Sequence, residues 1–155
     1  MEPGVRAHLM SRHPFFTGFN RMELEEMSLE DELFRIYERR AKIIQEGEEE
    51  QALYIILSGH VSVFKATPEG GSAHIVEFRS GGIFGEFSLL RNGKRTSSVV
   101  AIESTHVCRL TPDRINAFGP KLEIKARNQV LKLVVRRYEN LCQKYIDVLC
   151  QAGPV

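Results

Sequence analysis

The residues with the clearest chemical content lie in one stretch, Gly81-Gly82-Ile83-Phe84-Gly85-Glu86-Phe87-Ser88-Leu89-Leu90-Arg91-Asn92-Gly93-Lys94-Arg95-Thr96-Ser97-Ser98-Val99. Glycines open it, and Glu86 to Leu90 suffices for one helical turn but not for a regular helix. The first backbone N–H groups of such a turn have no acceptor within the helix, and the helix dipole adds to their attraction for an anion. Gly85 brings no Cβ to obstruct the approach. Arg95 offers a planar fork of donors that suits a phosphate. Glu86, an acceptor only when ionised, suits a sugar hydroxyl beside that anion. The chemistry implied is recognition of a phosphorylated sugar, although the same three residue types also occur in ordinary turns.

Other reactive side chains do not assemble. His60, His74 and His106 fall on strand-like segments, but no two histidines stand two residues apart, the pairing by which cupin-type rolls hold a metal. With His8 and His13 they read as surface or core histidines, and no metal site is expected. Cys108, Cys142 and Cys150 are odd in number and lack a C-x-x-C pair, so they read as reduced thiols. Neither a nucleophile elbow nor a Ser/His/Asp order is present, and the chain is expected not to be an enzyme.

Three kinds of element must position the Gly-rich stretch. From Glu23 to Tyr37, apolar residues recur among acids at mostly helical spacing, with a break near Ser28 where Ser28-Leu29-Glu30-Asp31 has the form of a new N-cap. From Ala41 to Phe118 the pattern turns to short β-rich pieces: 42–44, 52–57, 60–65, 73–78, 96–103 and 106–110. Turn signals at Gly47, Ser58-Gly59, 68–71 and 80–82 separate them, as in a sandwich, barrel or roll. From Leu122 to Leu149 an apolar stripe runs through Ala126, Val130, Leu133, Val134, Tyr138, Leu141 and Tyr145. A second set, Leu131, Val135, Cys142 and Ile146, widens the arc. Such a helix needs the roll on one side and a ligand, second subunit or adjoining domain on the other, unless both faces pack on one core.

The chain has 155 residues, 43% of them apolar and 26% charged, the composition of one ordinary globular domain rather than of a disordered or fibrous chain. No apolar run approaches the roughly 18 residues a bilayer span requires, and no leader pattern follows Met1, so the expectation is a cytoplasmic chain without a membrane segment. Residues 1–60 carry 7 Lys/Arg and 12 Asp/Glu (−5), residues 61–118 carry 7 and 5 (+2), and residues 119–155 carry 7 and 3 (+4), which sum to the formal +1. Four net positive charges spread along a helix read as a solvated face, and nucleic acid is not an expected partner.

The run Phe84-Gly85-Glu86-x-Ser88-Leu89-Leu90, followed after four residues by Arg95-Thr96-x-x-Val99, resembles the phosphate-binding cassette of cyclic nucleotide-binding domains. These occur in cAMP- and cGMP-dependent kinases, cyclic-nucleotide-gated channels and bacterial catabolite activators. Gly47 with its acids, Leu53-Tyr54-Ile55-Ile56-Leu57-x-Gly59-x-Val61, and Pro14-Phe15-Phe16 are similar to other parts of the same pattern, so the resemblance covers roughly 14–149. The chain departs from common family residues at Ile83, Lys94 and Ser97.

The resemblance implies an α+β fold: an eight-stranded antiparallel β-roll, or double-stranded β-helix, flanked by N-terminal helices and a C-terminal hinge and lid helix. It divides into a helical lead-in (1–40), the roll (41–118, cassette 81–99) and the hinge and lid (119–155). Carried over to this sequence, Glu86 accepts the ribose 2′-OH, Arg95 pairs with the cyclic phosphate, and backbone N–H groups near Ser88 and Thr96 complete the cradle beside Gly85, Phe87 and Ser97. Ile75, Val76 and Phe78 pack the base, and Arg136, Arg137, Tyr138 or Leu141 caps it. The implied activity is that of a sensor for cAMP or cGMP, needing no cofactor beyond that ligand and signalling by lid closure to an effector domain or protein on the C-terminal helix. Thr96 suits guanine while Val76 cannot bond to it, which leaves a slight lean to cAMP. The alternative is a docking module of the same fold that binds a protein and no nucleotide. Nothing after Leu149 has room for a DNA-binding, kinase or pore domain, so the expectation is a regulatory fragment or a small stand-alone sensor.

Overall fold

The computed structural model describes residues 1–90 and 92–153; Arg91 of the cassette and Pro154 and Val155 of the expected lid segment lie outside them. Two helices, α1 (Pro3–Arg12) and α2 (Arg21–Ser28), precede the strands β1 (Phe34–Tyr37), β2 (Lys42–Ile44), β3 (Leu53–Ser58), β4 (His60–Ala66), β5 (Ser72–Arg79) and β6 (Ile83–Phe84). A single turn, α3 (Phe87–Leu90), follows, then β7 (Ser98–Ala101), β8 (Thr105–Leu110), α4 (Pro112–Ala117) and the long α5 (Pro120–Gln151). The strands form two antiparallel four-stranded sheets, ordered β1-β8-β3-β6 and β2-β7-β4-β5. This is the expected eight-stranded roll with helices at both ends.

β3 shows why the layers stack as they do. Leu53 to Leu57 are all buried because the strand is covered on both faces, and a doubly covered strand reads as an unbroken apolar run. Leu53, Ile55 and Leu57 face a core with Met10, Phe15, Phe16, Leu24, Met27 and the start of α5. Tyr54 and Ile56 face the second sheet, against Val61, Val63 and Val99, with Phe84 of β6 in the same cluster.

The N-terminal segment departs from its expected pattern. α1 lies within the helical lead-in expected over 1–40, but it carries no strong apolar periodicity and no residue pattern marked it; it forms with Pro3 in its first turn and buries only Met10. α2 is fixed by a capping box in which Asn20 Oδ1 accepts from the Glu23 amide at 2.9 Å and the Glu23 carboxylate accepts from the Asn20 amide at 2.8 Å. The helix expected through Tyr37 ends at Ser28. Ser28 does not cap a new helix: its hydroxyl donates back to Glu25 O at 2.7 Å. Residues 31–33 make one 3₁₀ turn, and Phe34-Arg35-Ile36-Tyr37 becomes a strand because β8 supplies its backbone partners, pairing Phe34 with Cys108 and Tyr37 with Thr105. The bulky, partly β-branched residues of that segment suit a pleated surface.

α5 spans 32 residues, or about 48 Å at 1.5 Å per residue. Only Leu122, Ala126 and Val130 are buried. Lys125 reaches the Glu23 carboxylate at 2.6 Å, and Gln129 donates to Thr17 O at 2.7 Å. Beyond Val130 the stripe is open, with Leu131, Val135, Tyr138, Leu141, Tyr145 and Leu149 each more than half exposed. Packing of both faces on one core is therefore excluded for this half of the helix. No described helix is long and apolar enough to cross a membrane.

Candidate functional site

A row of apolar residues crosses the second sheet in register: Ile44 beside Val99, Val99 beside Val63, and Val63 beside Val76. Ile44, Val99 and Val63, with Phe84, floor a cavity of about 240 Å³, just below the usual range for sites that hold a small organic ligand, and Val76 ends the row at its edge. The Gly-rich stretch forms its rim. Gly85, Glu86, Phe87, Ser88, Arg95, Thr96 and Ser97 line one side, and Ile75, Val76 and Phe78 of β5 the other. All ten binding residues expected from the sequence thus border one cavity. Ile75 and Val76 are 54% and 38% exposed, so they stand at its mouth rather than inside.

Arg95 is buried to 7% exposure. Its Nη1 donates to Ser88 Oγ at 2.8 Å and, at 3.4 Å, to Gly85 O, while Nη2 donates to Ala52 O at 3.0 Å. Its Nε is buried with no hydrogen-bond partner among the described residues. Among the described residues the one carboxylate within 4 Å is that of Glu50, at 3.6 Å. A buried guanidinium held by neutral oxygens, with one donor unspent, is poised to take an anion, because a buried charge without a full counter-charge is costly. The loop around it requires glycine: Gly85 sits at φ +83°, and a Cβ there would meet Ala52 O at 2.7 Å and Arg95 Nη1 at 2.9 Å. The Ser88 amide, expected in the cradle, turns back to Gly85 O at 3.3 Å.

Glu86 is 2% exposed, and its charge is met from α5: Arg137 Nη1 bonds Glu86 Oε1 and Nη2 bonds Ile83 O. The Arg137 guanidinium also lies 5.2 Å from the centre of the Phe78 ring, a cation–π distance. Of the four residues expected to cap the site, only Arg137 lines the cavity. Tyr138 and Leu141 are 67% and 65% exposed and point elsewhere, and Arg136 is exposed one step round the helix.

Sequence reasoning did not assign Ile44, Val63, Phe84, Val99, Gly93 or Lys94 to the cavity wall. The alternating apolar pattern of the strands marks inward positions, but a residue facing a core and one flooring a cavity look the same in sequence. It also passed over Glu50. Its carboxylate takes a hydrogen bond from Arg109, and another from Tyr54 Oη at 2.9 Å. Burial tends to raise its pKa, but the bonds from Arg109 and Tyr54 outweigh this and hold the carboxyl below its ordinary value. Burial pushes the Tyr54 hydroxyl up, so it remains a donor. His60 bonds Glu77 at 2.7 Å, with His74 3.6 Å from the same carboxylate. No group of three or more metal-ligating side chains gathers among the described residues.

Comparison with known proteins agrees with this geometry. A family model described as the cyclic nucleotide-binding domain matches residues 34–119, from β1 to the glycine before α5. The Cyclic AMP receptor protein of Thermus thermophilus is 33% identical over 130 residues, 83% of this chain and 58% of that protein. A cAMP-dependent protein kinase regulatory subunit of Aspergillus fumigatus is 36% identical over 92 residues, 59% of this chain and 22% of that one. Among solved structures, the Thermus thermophilus Catabolite Activator Protein superposes with a TM-score of 0.73 at 29% identity, over 88% of this chain and 63% of that chain. A cyclic nucleotide-binding domain from Methylobacillus flagellatus gives a TM-score of 0.73 at 25% identity, over 96% and 83%. The chain spans about half the length of the first curated relatives it matches.

Proposed function

This chain belongs to the cyclic nucleotide-binding domain family, and from that premise we propose that its cavity takes a 3′,5′-cyclic nucleotide, with a lean to cAMP, and reports occupancy through α5. One observation carries the reading: the buried Arg95, with Nε unpartnered, stands on a cavity whose rim also presents the Glu86 carboxylate. The cyclic phosphate would meet Arg95, with Gly85 leaving room for it, and Ser88, Thr96 and Ser97 would complete the polar rim. The ribose 2′-OH would donate to Glu86. Arg137 bonds Oε1 only, and a carboxylate has about four lone-pair directions, so an acceptor remains for the sugar. The base would lie over the apolar row toward Phe78 and Val76. Val76 offers guanine no hydrogen bond, whereas Thr96 does; relatives named for cAMP and for cGMP both occur, and the cAMP-named ones favour the lean.

Signalling follows from the way α5 is attached. Past Val130, among the described residues, partly buried Leu133 packs on the core and Arg137 joins the helix to Glu86, Ile83 and Phe78. A ligand that touches Glu86 favours one placement of this helix over another, and that differential affinity is the signal. The exposed apolar residues from Leu131 to Leu149 are the surface on which an effector domain or protein would read it. The three free cysteines suit a reducing compartment, the cytoplasm.

Calorimetry of the wild type with cAMP and cGMP side by side tests the proposal, with Arg95→Ala as control. Binding to the wild type is expected to raise the melting midpoint, since ligand at 100 times its dissociation constant adds about 2.7 kcal/mol. Arg95→Ala is expected to weaken binding about 30-fold or more, the cost of a lost charged partner. Absence of heat and of a melting shift with either nucleotide at millimolar concentration favours the docking-module alternative.

A further inference from the structure

Glu50 does not line the cavity, yet it is the acid nearest to Arg95. Its two oxygens are divided. Oε1 takes the bond from Arg109, a β8 residue whose register partner is Tyr54, while Oε2 accepts from Tyr54 Oη and faces Arg95 Nη2 at 3.6 Å. One carboxylate therefore serves two guanidinium groups and satisfies Arg109 more fully than Arg95. The orientation of Arg95 does not depend on it, because Ala52 O, Gly85 O and Ser88 Oγ already hold both Nη atoms.

We propose that Arg109, acting through Glu50, sets how much positive charge Arg95 presents to an anion in the cavity. Arg109 is then a positioning residue for anion binding, although it touches neither the cavity nor a ligand within it. While Arg109 holds Glu50, Arg95 is only partly neutralised and available; without Arg109 the carboxylate is free to close on Arg95 and compete with a phosphate. The inference rests on the reading of Arg95 as the phosphate contact.

The test is a double-mutant cycle on the full chain with Glu50→Gln, Arg109→Gln and the pair. Glutamine keeps an acceptor for Tyr54, and melting curves check that each variant folds. Glu50→Gln is expected to tighten cyclic nucleotide binding, and Arg109→Gln to weaken it, each by about three- to five-fold, since a partly exposed ion pair is screened by solvent. If Arg109 works through Glu50, the double variant binds within about two-fold of Glu50→Gln alone, with Arg109→Lys restoring part of the loss. Arg109→Gln with wild-type affinity overturns the proposal, as does an equal weakening in both backgrounds, which would mark a through-space field. Inorganic phosphate, followed by its effect on the melting midpoint, is the second probe. The same order of variants is expected with it, and it reads Arg95 even if the wild type binds no cyclic nucleotide. Phosphate stabilising all variants equally overturns the charge-sharing inference, whereas nucleotide failure alone overturns only the functional reading.

Discussion

At the scale of single residues, the loop around Arg95 depends on a backbone position that only glycine occupies without strain. A methyl at Gly85 would press on Ala52 O and Arg95 Nη1, and neither has freedom to yield: Ala52 O accepts from both Arg95 and Ser88, and Arg95 is packed under the rim. Gly85→Ala is expected to cost about 1–3 kcal/mol of stability, the usual toll of a forced left-handed residue, and to weaken nucleotide binding by displacing Arg95. Chemical denaturation and calorimetry on this variant check both, and unchanged stability would mean that the loop relaxes freely. That Gly85, Glu86, Ser88 and Arg95 border one cavity was legible in the sequence because they lie within one short segment, where spacing along the chain limits how far apart they can end. The pairing of Glu86 with Arg137 and the sharing of Glu50 were not, since these contacts join residues 51 and 59 positions apart and exist only once the roll and helix are packed.

At the scale of elements, α5 changes character at Val130. Its first turns are tied down by buried Leu122, Ala126 and Val130 and by Lys125 on Glu23, while the later turns have partly buried Leu133 against the core and Arg137 on Glu86. Most of a helix's stability in a protein comes from packing its apolar face, and these turns pack little of theirs. Amides from 122 to 130 are therefore expected to be protected from hydrogen exchange and those from 131 to 149 to exchange rapidly in the free chain, with nucleotide slowing the segment around Arg137. Arg137→Gln should abolish the ligand-induced slowing while leaving 122–130 protected; slow exchange that ignores both ligand and mutation would make the helix plain core. The sequence marked the broad apolar arc of this helix correctly, because 3.6-residue periodicity survives without a partner. It misread residues 34–37 as helix for the opposite reason: their strand state comes from pairing with β8, more than sixty positions away.

At the scale of the whole molecule, the N-terminal block, the first sheet and the root of α5 share one core, while the cavity floor belongs to the second core between the sheets. The fold class was readable because turn glycines and short apolar runs alternate regularly through the middle of the chain; α1 was not, since it buries little beyond Met10 and leaves no periodic trace. His13 sits where these parts meet, 5% exposed, its Nδ1 accepting from the Phe15 amide at 3.1 Å and its Nε2 without a hydrogen-bond partner among the described residues. Burial disfavours the imidazolium and holds its pKa below the ordinary 6.5, an effect the nearby Gly82 backbone only partly offsets. In the unfolded chain His13 takes up a proton near pH 6.5, while in the folded chain it resists until lower pH. Over that interval the unfolded state binds more protons, so stability rises with pH. The His13 contribution is fully present above about pH 6.5 and is lost as pH falls toward the folded-state value. Glu23 and Glu50, whose folded pKa values lie below the ordinary 4.5, act separately: their contribution is present above pH 4.5 and is lost below it. The melting midpoint is thus expected to fall in two steps on acidification, the first beginning near pH 6.5. His13→Asn, which keeps an acceptor for the Phe15 amide, should lower the midpoint at neutral pH but flatten the first step and leave the second. Midpoints measured from pH 7.5 to 3.5 for both proteins decide it, and an unchanged first step in the variant would assign that step to another group.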